Sequence, residues 1–256
     1  MRRNPVRERW ARGEAASNLW IDIGWPVTVE TLGRLGYDSY TVDMQHSLID
    51  RSAIVSLFQA VSLGGGAPMV RVTQNDPGEI AFVLDAGAYG VICPTIETAG
   101  QARSFVAACE YPPRGARSWG PTRGVLYGGA DYFDNYRDEI LTIALIETAE
   151  GVKNLDAIAA VPGLDMVYLG PNDLGVSHGA RPSYTPNHPE VERAMDRVAV
   201  VAKKHGIAAG MHTASKEVAL AAKAKGYTFL SLAYASKVMV GALTKVLEDA
   251  FPGDAK

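Results

Sequence analysis

Eight short runs rich in apolar and β-branched residues recur along the chain, and a helical pattern follows each of them. The runs are "NLWIDIG" (18–24), "YDSYTVD" (37–43), "APMVRV" (67–72), "YGVICP" (89–94), "LTIALIE" (141–147), "LDMVYLG" (164–170), "GIAAGMH" (206–212) and "YTFLSLA" (227–233). Stretches between them, such as "DPGEIAFVLDAGA" and "KNLDAIAAV", begin near Asp, Asn or Ser and finish near Gly, as helices do. Eight strand–helix units in 256 residues predict one α/β domain over 1–256, a single (β/α)8 TIM barrel, because that is its usual size. A doubly wound sheet alternates in the same way, but no GxGxxG follows the first strand. "SLGGGAP" lacks the Lys-Ser/Thr of a phosphate loop and precedes a strand instead of following one.

Composition narrows the partners. With 47% hydrophobic residues and a formal net charge of -3, nothing calls for nucleic acid or an anionic membrane surface. The start, "MRRNPVRERWARGE", carries five arginines with no apolar core behind them, so it does not read as a secretory signal. A solvated basic arm or short helix over about 1–15 is expected instead. No apolar run approaches the ~20 residues that span a bilayer. Cys93 and Cys109 form neither a metal pattern nor a disulfide framework, so a cytoplasmic protein with reduced thiols is expected. The longest irregular stretch, "YPPRGARSWGPTRGVLYGG" (111–129), is expected near one mouth of the barrel or at a subunit contact.

Active sites of such barrels form at the carboxyl ends of the strands. Those ends carry Asp43 with His46 three residues on, Arg71, Glu147, Asp173 in "GPNDLG", and His212. A buried charge without a partner is expensive, so a set of this kind calls for a chemical role. Glu150 falls in the first turn of the next helix, where the dipole accounts for a carboxylate. Glu147 ends its strand and converges with Asp173, and two such anions repel unless a proton or cation lies between them. Carboxylate ligands suit a hard divalent ion, Mg²⁺ or Mn²⁺. The plainer alternative pairs Glu147 with Arg71 and leaves Asp173 to cap its loop. Asp43 with His46 fits a carboxylate-oriented general base, and fits helix capping equally well. No predicted strand contains a lysine, since Lys153, Lys216 and Lys237 all fall in helical patterns. Metal chemistry is therefore favoured over an imine route.

With these residues in place, the sequence resembles the HpcH/HpaI aldolase family of metal-dependent pyruvate-type aldolases. The markers are "LWIDIG", "DMQHSLID", "APMVRV", "LDAGAYGVICPTIETAGQA", "YPPRGARSWGP", "IETAEGVKNLDAIAAVPGLD" and "YLGPNDLGVSHG", from about residue 19 to 243. The resemblance implies a barrel of the phosphoenolpyruvate/pyruvate type, usually hexameric, with its last helix exchanged between subunits. It implies Glu147 and Asp173 as metal ligands, for Mg²⁺ or Mn²⁺ with Co²⁺ a further option, and no organic cofactor. It further implies His46 as catalytic base with Asp43 as dyad partner, and Arg71 on the substrate's keto oxygen. Gly170 and Asn172 would hold the substrate carboxylate through backbone N–H groups, Trp20 would lie near the site, and Asp85 would reach a neighbouring subunit. One departure is Leu145, where many members have a glutamine beside the substrate, and "SLAYASK" lacks an expected acidic residue.

The implied reaction forms an enolate from pyruvate or hydroxypyruvate and adds it reversibly to an aldehyde, cleaving 4-hydroxy-2-oxo acids in reverse. The 111–129 stretch and neighbouring-subunit residues would shape the aldehyde side. Two alternatives stand beside it: an acyl-CoA lyase of the citrate or malyl-CoA type, and a non-catalytic barrel that binds a metal and a small acid.

Overall fold

The computed structural model describes residues 1–183, 188–213 and 215–252. Eight parallel strands close into a barrel in chain order: β1 (Ala16–Ile21), β2 (Ser39–Asp43), β3 (Ala67–Arg71), β4 (Gly90–Cys93), β5 (Leu141–Ile146), β6 (Met166–Leu169), β7 (Ala208–His212) and β8 (Phe229–Tyr234). All eight predicted strands are present, each within about two residues of its expected position at the start, as is usual for element boundaries. Before them comes α1 (Pro5–Ala11); α2 (Pro26–Gly33), α3 (Ile54–Leu63), α4 (Pro77–Asp85) and α5 (Ala99–Cys109) follow the first four strands in turn. Two helices, α6 (Thr122–Gly128) and α7 (Tyr132–Glu139), lead into β5. The remainder are α8 (Ala149–Lys153), α9 (Leu155–Ala159), α10 (Pro171–Ser177), α11 (Pro189–His205), α12 (Lys216–Lys225) and α13 (Ala235–Ala250).

Strand residues alternate between two faces, and the barrel uses both. Outward-facing Ile21, Val42, Val70, Val91, Ala144, Val167 and Met211 join the helix faces in one apolar sheath. Inward-facing Trp20, Met69, Ile92, Ile143, Leu145, Met166, Tyr168 and Phe229 fill the inside. Space there is tight: a Cβ on Gly210 would come within 2.5 Å of the Met166 sulfur and 2.7 Å of the Tyr168 ring. Glycine at that position makes room for Tyr168 to cross the barrel.

Of the two forms expected for the basic start, the structure has the short helix, and that helix is a structural plug and not a solvated arm. Asn4 caps α1 by accepting the Val6 N–H at 3.0 Å, and Pro5 takes the first helical position, where its missing donor costs nothing. The Asn4 amide also donates to the Tyr89 and Glu139 carbonyl oxygens, at 3.1 and 2.7 Å. Val6 is fully buried in the inner core, and Trp10 donates to the Thr228 carbonyl at 2.8 Å, so α1 seals the amino-terminal end of the barrel. Three of the arginines pair with carboxylates there: Arg3 with Glu139, Arg7 with Asp165 and Arg9 with Asp38.

The 111–129 stretch lies at this same end, where Gly128 accepts from the Arg2 N–H and α6 occupies its second half. It connects the end of α5 to α7, so within the chain it stands away from the carboxyl ends of the strands. At the other terminus, α13 buries only Ala235 and leaves Val238, Leu243, Val246, Leu247 and nearby Phe251 exposed. No helix among the described residues is long and apolar enough to cross a membrane.

Replacing Asn4 with alanine removes the cap and strands two buried carbonyl oxygens. Urea unfolding should show a loss on the order of 2 kcal/mol. An unchanged midpoint would mean that α1 is not part of the cooperative fold.

Candidate active site

At the carboxyl ends of the strands lies a cavity of about 340 Å³. Its walls come from Arg71 on β3, Leu145 and Glu147 at the end of β5, and Gly170, Asn172 and Asp173 where β6 turns into α10. His212 on β7 with Tyr234 and Lys237 at the β8–α13 junction complete it. Six of the residues expected at the site, Arg71, Leu145, Glu147, Gly170, Asn172 and Asp173, thus line one space.

Asp43 and Arg71 are register partners on adjacent strands. The guanidinium grips the carboxylate twice, Nε to Oδ1 at 2.9 Å and Nη2 to Oδ2 at 2.6 Å, and both side chains are buried. Burial opposes ionisation of Asp43, but the Arg71 contact outweighs it and holds the carboxyl below its usual range. Trp20 forms the floor, with the Arg71 Cζ 5.0 Å from its ring centroid.

The expected Asp43–His46 dyad takes a different form. Asp43 Oδ1 accepts from the backbone N–H groups of Gln45 (3.1 Å) and His46 (3.4 Å), which fixes the turn after β2. The His46 side chain itself is exposed and is not part of the cavity wall. Sequence spacing could not foresee this, because the carboxylate's partner, Arg71, is 28 residues away.

The alternative pairing of Glu147 with Arg71 is not adopted, since Arg71 is committed to Asp43. Glu147 is 5% exposed and accepts instead from the Thr95 N–H (2.9 Å) and hydroxyl (3.1 Å). Burial first, and then the charge of Asp173, push its pKa up to about 7, against the opposing pull of Arg71 and Thr95. Thr95 makes this contact with φ at 54°, an unfavourable conformation for a β-branched residue. Strain of this kind costs on the order of 1–3 kcal/mol and concentrates at functional sites. Gly170 is required beside it, because a Cβ there would sit 2.9 Å from the Glu147 Cβ and 3.0 Å from its Oε2.

These carboxylates fit a hard divalent cation. Glu147 carries a pKa raised by burial and by the charge of Asp173, and glycine leaves room against its carboxylate. Among the described residues no group of three or more His, Cys, Asp or Glu could hold a metal, so at this site the protein would contribute two carboxylates. Mg²⁺ is commonly held by one or two carboxylates, with waters and substrate supplying the rest.

Other residues stand elsewhere or were not anticipated. Asp85 ends α4 at the amino-terminal end of the barrel and pairs with Arg117 at 2.8 Å. Thr95 lies in the marker "LDAGAYGVICPTIETAGQA" and Tyr234 and Lys237 lie in "SLAYASK", but no role at the site was expected of them. Lys237 is helical, as expected, but in the first turn of α13, with its Nζ 4.9 Å from the Tyr234 ring centroid. His212 packs edge-on to Trp20 at 4.2 Å and stacks on Tyr234 at 4.7 Å.

The whole chain is similar to known proteins. A "Hydroxypyruvate/pyruvate aldolase" of Rhizorhabdus wittichii is 36% identical over 247 residues, covering 96% of this chain and 98% of that protein. A "5-keto-4-deoxy-D-glucarate aldolase" of Klebsiella pneumoniae is 34% identical, covering 97% of this chain and 96% of the relative. The crystal structure of a HpcH/HpaI aldolase/citrate lyase family protein of Burkholderia cenocepacia superposes with a TM-score of 0.89 at 29% identity, over 96% of this chain and 99% of that one. The model of the HpcH/HpaI aldolase/citrate lyase family matches residues 16–242, and the chain belongs to that family.

Proposed function

We propose that the protein is a divalent-metal-dependent aldolase acting on pyruvate or hydroxypyruvate. It removes a proton from the carbon beside the ketone, adds the resulting enolate to an aldehyde, and in reverse cleaves 4-hydroxy-2-oxo acids. The observation that carries this reading is the buried Glu147 facing Asp173 without a cation of its own, in the same cavity as Arg71. The aldolase names of the relatives at 36 and 34% identity favour it over an acyl-CoA lyase.

Glu147 and Asp173 would hold the ion, with Mg²⁺ or Mn²⁺ the best match to two carboxylates and Co²⁺ a third option. When bound, the ion polarises the ketone and acidifies the adjacent C–H. Arg71 spends Nε and Nη2 on Asp43 and keeps Nη1 for the keto oxygen, a preorganised charge where negative charge develops. In this reading His46, on the turn that Asp43 tethers, is the base, its side chain turning in from outside the cavity wall to take the proton. The backbone N–H of Asn172, in the first turn of α10, would hold the substrate carboxylate, whereas the Gly170 N–H expected beside it is already donated to the Ile146 carbonyl at 3.0 Å. Trp20 supports Arg71 from below, and Leu145 gives the donor an apolar wall. We further propose a homo-oligomer, a hexamer with α13 exchanged, in which Asp85 serves the neighbouring subunit's site. The apolar face that α13 leaves exposed supports that assembly.

Three outcomes are expected. In deuterated water with Mn²⁺ or Mg²⁺, proton NMR should show exchange into pyruvate or hydroxypyruvate that EDTA abolishes. Glu147→Gln should lose both exchange and calorimetric metal binding. His46→Ala should bind metal normally but exchange about 100- to 10,000-fold more slowly. Wild-type exchange by His46→Ala would remove that residue from the role of base.

The second concerns pH. Glu147 titrates at about 7 in the metal-free fold against an ordinary 4.5, so the folded state binds the proton more tightly than the unfolded chain. Its contribution is fully present below pH 4.5 and is lost as pH rises through 7, on the order of 3 kcal/mol in all. Subtracting the denaturation profile of Glu147→Gln from wild type should isolate this slope, and a flat difference would contradict it. Metal affinity should rise over the same range, since the ligand must be deprotonated.

Third, Leu243→Asp should lower the molar mass measured by light scattering while leaving the barrel's circular dichroism intact. An unchanged mass would place the subunit contacts elsewhere.

A further inference from the structure

Inside the barrel, a run of polar side chains leads to the cavity. Asn18 Oδ1 lies 3.0 Å from the Ser39 hydroxyl and 2.9 Å from that of Thr41, and its amide nitrogen lies 2.8 Å from Ser231 Oγ. The Tyr168 hydroxyl is 2.7 Å from Ser231 Oγ and 2.7 Å from His212 Nδ1. Asn18, Ser39, Thr41, Tyr168 and Ser231 are all completely buried. His212 Nε2, at the end of this run, is shielded from solvent and has no partner, although the residue lines the cavity.

Counting protons orients the whole chain. Every hydroxyl has one proton to place, and a buried one needs an acceptor. Ser39 and Thr41 donate to Asn18 Oδ1, which turns the Asn18 amide N–H toward Ser231. Ser231 already accepts there, so its own proton goes to the Tyr168 oxygen, since between two hydroxyls either can donate. Tyr168 then donates to His212 Nδ1. The opposite sense would leave the Thr41 proton without an acceptor. Burial, reinforced by the charge of Arg71, lowers the His212 pKa to about 3, so the ring is neutral and carries a single N–H. With Nδ1 accepting, that proton resides on Nε2.

Trp20 packs against both His212 and Arg71, and both residues line the cavity in which the guanidinium is assigned to the keto oxygen. The next atom of a bound 2-oxo acid is the carbon beside the ketone, a methyl in pyruvate and a hydroxyl-bearing carbon in hydroxypyruvate. We propose that His212 is a specificity-determining residue whose Nε2–H donates to the hydroxyl of a 3-hydroxy-2-oxo acid and so favours hydroxypyruvate over pyruvate as donor. The proposal rests on the aldolase reading. A site built to hydrogen-bond a hydroxyl discriminates against the analogue lacking it, because its donor is then left unpaired.

The test compares metal-loaded wild type, His212→Leu and His212→Gln, each checked for folding by circular dichroism. Exchange kinetics with each acid should show kcat/KM for hydroxypyruvate falling roughly 10- to 100-fold in His212→Leu, with pyruvate little changed. His212→Gln, which keeps a neutral donor, should recover part of the preference. Equal losses with both acids, or none, overturn the proposal. Independently of turnover, ¹⁵N NMR of histidine-labelled protein should show the Nε2–H tautomer, with a resonance that hydroxypyruvate moves and pyruvate does not. A proton on Nδ1, or equal responses to both acids, overturns the proposal. If wild type exchanges neither acid yet this resonance responds selectively to hydroxypyruvate, the aldolase reading fails and the binding role of His212 stands.

Discussion

Asp43 and Arg71 face each other across β2 and β3, and their double hydrogen bond sets the electrostatics of the upper barrel. Either ion alone at this depth would carry a desolvation penalty of several kcal/mol, so each makes the other tolerable. The same pairing has a consequence across the cavity. With its guanidinium committed, Arg71 only partly offsets the charge of Glu147, and Asp173 adds to the surplus. One wall is therefore balanced and the other is negative, which polarises the cavity across its width. Thr95, held at positive φ to donate two hydrogen bonds to Glu147, fixes the negative wall in position.

The strands were legible because a buried parallel sheet needs continuous apolar β-formers, and these runs are short and bounded by turn residues. The strand ends were legible too, since Glu147 closes an apolar run where no packing argument wants a charge. Partners were not. Whether Asp43 orients His46 or grips Arg71 depends on inter-strand register, which local spacing does not encode. The tertiary seat of the amino-terminal helix was equally hidden, because a single valine among arginines reads as surface. Lys237 shows the limit of an inference from element type: a helical lysine can still reach the mouth when it occupies the first turn after a strand.

The barrel interior divides into two materials. Met69, Ile92, Ile143, Leu145 and Met166 fill one sector with apolar side chains. Asn18, Ser39, Thr41 and Ser231 fill the sector from β8 to β2 with mutually satisfied polar groups. A fully connected buried network is directional in a way that packing is not, since breaking any member orphans its neighbours. Rigidity is thus concentrated on the side of the barrel that supports Trp20 and His212, beneath the cavity.

The seal made by α1 orders events in time. Its contacts reach residues separated from it by 85 to 218 positions, from Tyr89 through Glu139 and Asp165 to Thr228. Such long-range closures are entropically slow. During synthesis α1 is made before any strand of the barrel, yet Trp10 has no seat until Thr228 has been made. Its basic face must therefore wait, solvated, through most of translation, and its docking marks the completion of the barrel.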